Sequence, residues 1–103
     1  YTYPEEFSPR MLRGEDLLVT GHTHVQGHRV FDEGVVMNPG SVGQPRDGDP
    51  KSGYAVVELS EGSGGDAVTV EERRVAYDVD EVVTAVEEAG LPARIGTRLY
   101  EGR

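Results

Sequence analysis

The sequence contains no cysteine in 103 residues, which excludes both a disulfide framework and a thiolate-ligated metal. No apolar run approaches the roughly 20 residues needed to span a bilayer, and residues 1–103 hold no signal-peptide pattern. Lysine is nearly missing: nine arginines and Lys51 face 19 acidic side chains, for a net charge of −9. The few basic residues form no patch able to neutralise a run of phosphates, so nucleic-acid binding through the backbone is not expected. An acid-rich, lysine-poor chain suits a host interior of high salt, where screening blunts self-repulsion. A soluble, cytoplasmic protein is therefore the expectation. With 36% hydrophobic residues and 14 glycines, a core in this one domain, or part of one, would be thin.

What is present reads as short strands and one good helix, without internal repeats. Ser8, Pro9 and Gly14 supply cap, first position and stop for a single helical turn. Leu17–Thr20 is a continuous apolar run, as a strand buried on both faces would be. His28–Phe31 and Val35–Asn38 predict a hairpin around a three-residue turn, Asp32-Glu33-Gly34. Asn38-Pro39-Gly40-Ser41 predicts a type II turn, with Gly40 supplying the positive φ. A loop rich in Pro and Gly follows over residues 43–53. Tyr54–Leu59 and Ala67–Tyr77 then predict two strands joined by a flexible tip at Glu61–Asp66. Asp78 with Glu81 has the capping-box spacing, and Val79, Val82, Val83, Val86 and Ala89 form one apolar stripe. Leu91, Ile95 and Leu99 mark a short closing helical segment behind Pro92. The expected fold class is α/β (α+β), mainly strands with one or two covering helices.

The chemistry concentrates at Gly21-His22-Thr23-His24, at the carboxyl end of the first predicted strand. If the backbone stays extended, residues i and i+2 face the same way, so both imidazoles would enter one small volume. Carboxyl ends of strands are also where α/β sheets place ligands. The plain alternative is a pair of surface or hydrogen-bonded loop histidines. His28 in the hairpin reads as a surface histidine, with approach to the site as a ligand the alternative, and Arg46 as a phosphate contact, a solvated side chain or a partner of Asp47 or Asp49. Asn38 and Ser41 serve the turn, with the alternative that they orient His22 or His24.

Residues 21–59 together resemble the C-terminal part of the calcineurin-like metallophosphoesterases, in particular their small prokaryotic phosphodiesterase branch. Three segments carry the resemblance in order: Gly21-His22-Thr23-His24, the short hairpin, and Asn38-Pro39-Gly40-Ser41-Val42 ahead of the strand at Tyr54-Ala55. The resemblance implies half of a four-layer αββα sandwich around two divalent metals, with Mn, Fe, Ni, Zn or Co suited to imidazole and carboxylate donors. It implies that His22 binds the second metal and His24 the first. It also implies hydrolysis of a phosphodiester or phosphomonoester by a metal-bridging hydroxide. Arg46 and Asn38 are the candidate contacts to a small phosphorylated substrate.

The family's Asp-x-His, Gly-Asp-x-x-Asp and Gly-Asn-His-Asp/Glu blocks do not occur in this sequence. The chain, which opens on Tyr1, is thus expected to be the C-terminal part of one metallophosphoesterase domain, residues 1–103, inactive alone. A non-catalytic interaction scaffold on the same fold is the alternative. A sheet face without its partner layer would favour self-association into a homo-oligomer.

Overall fold

The computed structural model describes all 103 residues. Strands β1 (Leu17–Val19), β2 (Gly27–Phe31) and β3 (Gly34–Asn38) make a three-stranded sheet in the order β1-β3-β2. β3 lies in the middle, and each of its residues is buried. It pairs in parallel with β1, Leu17 opposite Val35 and Val19 opposite Met37, and antiparallel with β2. Parallel pairing brings the carboxyl ends of β1 and β3 side by side, so the segments after Val19 and after Met37 leave the sheet together. Thr20 extends the join, its amide 2.7 Å and its hydroxyl 3.0 Å from the Met37 carbonyl, to which both donate.

The first core forms on one face of this sheet. Val36 packs with Phe7 and Leu12, and Met11, Leu18 and Phe31 close round them. Leu12 arrives on a 3-10 turn, Pro9–Leu12, which starts at Pro9 as the sequence suggests but makes no cap bond through the Ser8 side chain. The turn stops one residue earlier than Gly14, with Arg13 at φ +51°. β1 is not buried on both faces: Leu17 and Leu18 are half-buried and Val19 is exposed, because the core cluster packs on the face that carries Leu18. In the hairpin, Phe31 stands opposite Gly34, so Asp32 and Glu33 alone make the turn. Gly34 belongs to β3, where a side chain would collide with the Asp16 carbonyl.

β4 (Ser52–Leu59) and β5 (Val68–Val75) form a second, two-stranded antiparallel sheet, in register from Ser52–Val75 to Leu59–Val68. Their connection is not a flexible tip. Residues 64–67 form a 3-10 turn in which Gly64, Gly65 and Ala67 are buried. The Gly64 amide donates to Asp16 Oδ1 (2.7 Å) and the Gly65 amide to the Asp32 carbonyl (3.2 Å). A Cβ on either glycine would strike the Asp32 or Phe31 carbonyl, so these glycines permit close backbone approach. The second sheet is thereby fastened to the first.

α1 (Val79–Glu88) begins as the sequence indicates, with Asp78 Oδ1 accepting the Glu81 amide at 3.1 Å. α2 (Ala93–Thr97) and a 3-10 turn, Arg98–Tyr100, fold back on it. The valine stripe packs chiefly against this short return and not across a sheet face. Val83 is its buried member, seated over Gly96, where even a methyl group would stand 3.3 Å from the Val83 Cα. The Tyr100 hydroxyl donates to Asp80, and the Gly48 amide to the Gly102 carbonyl (3.0 Å) ties the tail to the rest. The result is elongated, 51 × 23 × 19 Å, with a radius of gyration of 16.2 Å where a compact chain of this length gives about 13 Å. No helix is long and apolar enough to cross a membrane.

Because the helical pair packs mainly on itself, Val83→Ala is expected to cost about 1–2 kcal/mol locally. Hydrogen exchange checks this: amides of α1 and α2 should exchange faster, with those of β3 unchanged. Equal acceleration in β3 would show that the helices stabilise the sheet directly.

Candidate metal centre

The paired carboxyl ends of β1 and β3 carry the site. Beyond Thr20 the chain does not stay extended: His22 has φ +74° and His24 φ +61°. The simple i, i+2 alternation of a strand therefore does not place these imidazoles. Thr23 between them turns inward and is buried, His22 is exposed, and His24 is half-buried. Left-handed backbone at a non-glycine residue costs about 1–3 kcal/mol and persists only where the surroundings impose it. Here they do. Asn38, with no exposed surface, donates from Nδ2 to Thr23 Oγ1 (3.1 Å) and to the Gly21 carbonyl (3.3 Å). Its Oδ1 accepts the Gly40 amide at 2.9 Å, and Gly40 has the φ of +86° that the type II turn requires. One buried carboxamide thus holds the histidine loop and the Asn-Pro-Gly turn against each other.

His24 Nδ1 lies 2.9 Å from the Gln44 carbonyl. A carbonyl can only accept, so Nδ1 carries a proton, and in the neutral ring the lone pair belongs to Nε2. The Arg46 amide closes the same contact from the other side, donating to the His24 carbonyl at 3.0 Å. The Gln44 amide donates to Ser41 Oγ (2.9 Å), so the loop after the turn is itself folded. The His22 ring stacks on Tyr1, centroids 4.3 Å apart and tilted by 37°. Imidazole is a usual donor to divalent transition metals, but two such side chains alone are too few to hold one. No group of three or more His, Asp or Glu side chains in the chain converges as a metal site.

The remaining candidates separate. Arg46 is exposed, its guanidinium 3.2 Å from Gln44 Oε1. Asp47 and Asp49 do not pair with it; they pair with Arg74, at 2.6 and 3.7 Å. His28 is away from the loop on β2, with Nδ1 3.2 Å from Glu72 Oε2. Sequence reasoning missed Thr23, Gln26 and Gln44. Gln26 Nε2 lies 3.3, 3.0 and 3.1 Å from the carbonyls of Pro39, Tyr54 and Arg73, its two hydrogens shared among the three, and so bridges the turn to both strands of the second sheet. No local signal marks such a residue, since its partners lie 13 to 47 positions away. Asp47 Oδ2 accepts the Gln26 amide at 3.3 Å. Partial burial works to raise the Asp47 carboxyl, but the Arg74 hydrogen bonds and charge, with the Gln26 amide, outweigh it and hold Asp47 below its ordinary value.

A family model for the calcineurin-like phosphoesterase superfamily domain matches residues 2–62. An uncharacterized protein of Methanocaldococcus jannaschii is 32% identical over 118 aligned positions, covering all of this chain and 46% of that protein. The crystal structure of a metallophosphoesterase from Sphaerobacter thermophilus superposes with a TM-score of 0.70 at 34% identity, over 85% of this chain and 42% of that one. The chain belongs to the calcineurin-like phosphoesterase superfamily. It spans less than half the length of these relatives. Proteins of this superfamily generally bind divalent metals.

Two measurements test the site's framework. Asn38→Ala strands the polar groups of Gly21, Thr23 and Gly40, and should lower unfolding stability by about 2–4 kcal/mol, read as a shifted urea midpoint. A midpoint within error of the parent would refute the role of this carboxamide. Asp47, depressed in the fold, adds stability that is complete above its unfolded value of about 4 and declines as the pH falls through the lower native value. Asp47→Asn should therefore flatten the loss of stability below about pH 4, seen in acid titrations followed by circular dichroism.

Proposed function

We propose that the protein containing this chain is a metal-dependent phosphoesterase acting on a small phosphodiester or phosphomonoester. The observation that carries this reading is the 2.9 Å contact of His24 Nδ1 with the Gln44 carbonyl, which directs Nε2 outward from a loop held in left-handed backbone. Packing alone gives no reason for two histidines in so costly a conformation, whereas ligands need a set direction. His22 and His24 would each hold one of two divalent ions, with further ligands from outside these 103 residues. Manganese is the first metal to test, ahead of iron, nickel, zinc and cobalt, all of which accept imidazole. When bound, such ions polarise phosphoryl oxygens and lower the pKa of water.

The chain's own residues do the rest. Asn38 and Thr23 keep the loop shape, so Asn38 acts by positioning and not by touching substrate. Gln44 holds the His24 proton at Nδ1. Arg46, exposed beside His24 in the chain's fold and free of any carboxylate partner, is proposed to bind a substrate phosphoryl oxygen.

In the full-length protein, manganese-dependent hydrolysis of bis-p-nitrophenyl phosphate is expected. His24→Ala and His22→Ala should each lower it by more than about 100-fold, since even outer partners of metal ligands are worth 10–100-fold. Arg46→Ala should raise KM with a smaller change in kcat. No hydrolysis with any of the five metals would instead support a non-catalytic scaffold of the same fold.

A further inference from the structure

Arg74 stands on β5, in the second sheet, and nothing about its position in the sequence connects it with the histidines. Its guanidinium is nonetheless enclosed by the loop that follows the Asn-Pro-Gly turn. Nη1 donates to Asp47 Oδ2 at 2.6 Å and Nη2 to Asp47 Oδ1 at 3.1 Å, a two-pronged pair. Nη2 also lies 2.8 and 2.6 Å from the carbonyls of Asp49 and Lys51, its two hydrogens shared among three acceptors, and Nε donates to the Lys51 carbonyl at 3.0 Å. The Arg74 side chain is only 16% exposed and that of Asp47 17%, so the pair is partly shielded from water. Its neighbour offers a contrast: Arg73 points outward to Glu71, and both of those side chains are largely exposed.

Asp47 is three residues from Gln44, whose carbonyl fixes His24, and its Oδ2 also takes the amide of Gln26, two residues beyond His24. The guanidinium therefore reaches both segments that meet at His24: Arg74 Nη1 completes the ring by donating to Gln26 Oε1 at 3.4 Å. We infer that Arg74 is a positioning residue for His24, holding residues 44–51 against the histidine loop so that the imidazole keeps its Nδ1–H tautomer and its direction. This rests on the metal-site reading for its purpose, but not for its test. Lysine cannot replace it, because one ammonium cannot span a carboxylate and two carbonyls in a single plane.

The experiment uses the full-length protein with 15N-labelled histidine. Long-range 15N–1H spectra at alkaline pH, without metal, report which ring nitrogen of His24 carries the proton. The parent should show Nδ1–H. Arg74→Lys and Arg74→Ala should give a mixture of tautomers and weaken Mn2+ binding, titrated by electron paramagnetic resonance, by about tenfold. Arg73→Ala should leave both readouts as in the parent. A strut that served stability alone would lower the melting temperature and move neither. Folded Arg74 variants with a pure Nδ1–H signal and parental Mn2+ affinity would overturn the inference. Should Arg74→Ala not fold, Asp47→Asn, which keeps the side chain's shape, takes its place with the same expected and overturning results. A parent protein that binds no Mn2+, yet loses its His24 tautomer on Arg74→Lys, would support the positioning role and refute the metal reading.

Discussion

A carboxamide with no access to water must find its partners inside the protein, and Asn38 finds them in the backbone of two loops and one hydroxyl. It ends a strand whose every residue is buried, so its polar group cannot turn to solvent without breaking the sheet. Gly21, Thr23 and Gly40 are held at the distances that this one side chain sets. The left-handed geometry of His22 and His24 follows, because Thr23 must face inward for its hydroxyl to be reached. The parallel pairing of β1 with β3 is what makes the arrangement possible. An antiparallel partner would have carried the histidines to the far end of the sheet.

Much of this was legible in the residues. The hairpin, the type II turn with its glycine, the Asp78 cap and the break at Pro92 all rest on local chemistry that one segment decides for itself. The histidine pair and the Asn-Pro-Gly turn were recognisable as parts of one site, and family membership followed from their order. Spacing misled at the level of backbone state. An i, i+2 pair was read with strand geometry, whereas the loop turns through positive φ twice within three residues. Nothing local announces this, since the force that imposes it comes from a residue 15 positions ahead.

Two other misreadings share that cause. Glycines at residues 62, 64 and 65 suggest a supple hairpin tip, yet two of them are buried where two backbones meet. Glycine permits close approach as readily as it permits motion, and only tertiary contact distinguishes the two. The valine stripe of α1 was read correctly as an apolar face but not as to its partner, which is mainly the short helical return behind Pro92. Charge was hardest to read. Arg46 stands next to Asp47 in sequence, but Asp47 is engaged by an arginine 27 residues further on.

The two positive-φ histidines also set a limit on how this loop can change. Glycine at either position would relax the backbone, and asparagine would tolerate it, so the substitutions most favourable to the fold are ones that remove an imidazole. Selection for stability alone would erase the pair. On the proposed reading, positions 22 and 24 are a place where folding and chemistry pull in opposite directions, and a copy without the metal-binding role would gain stability there first.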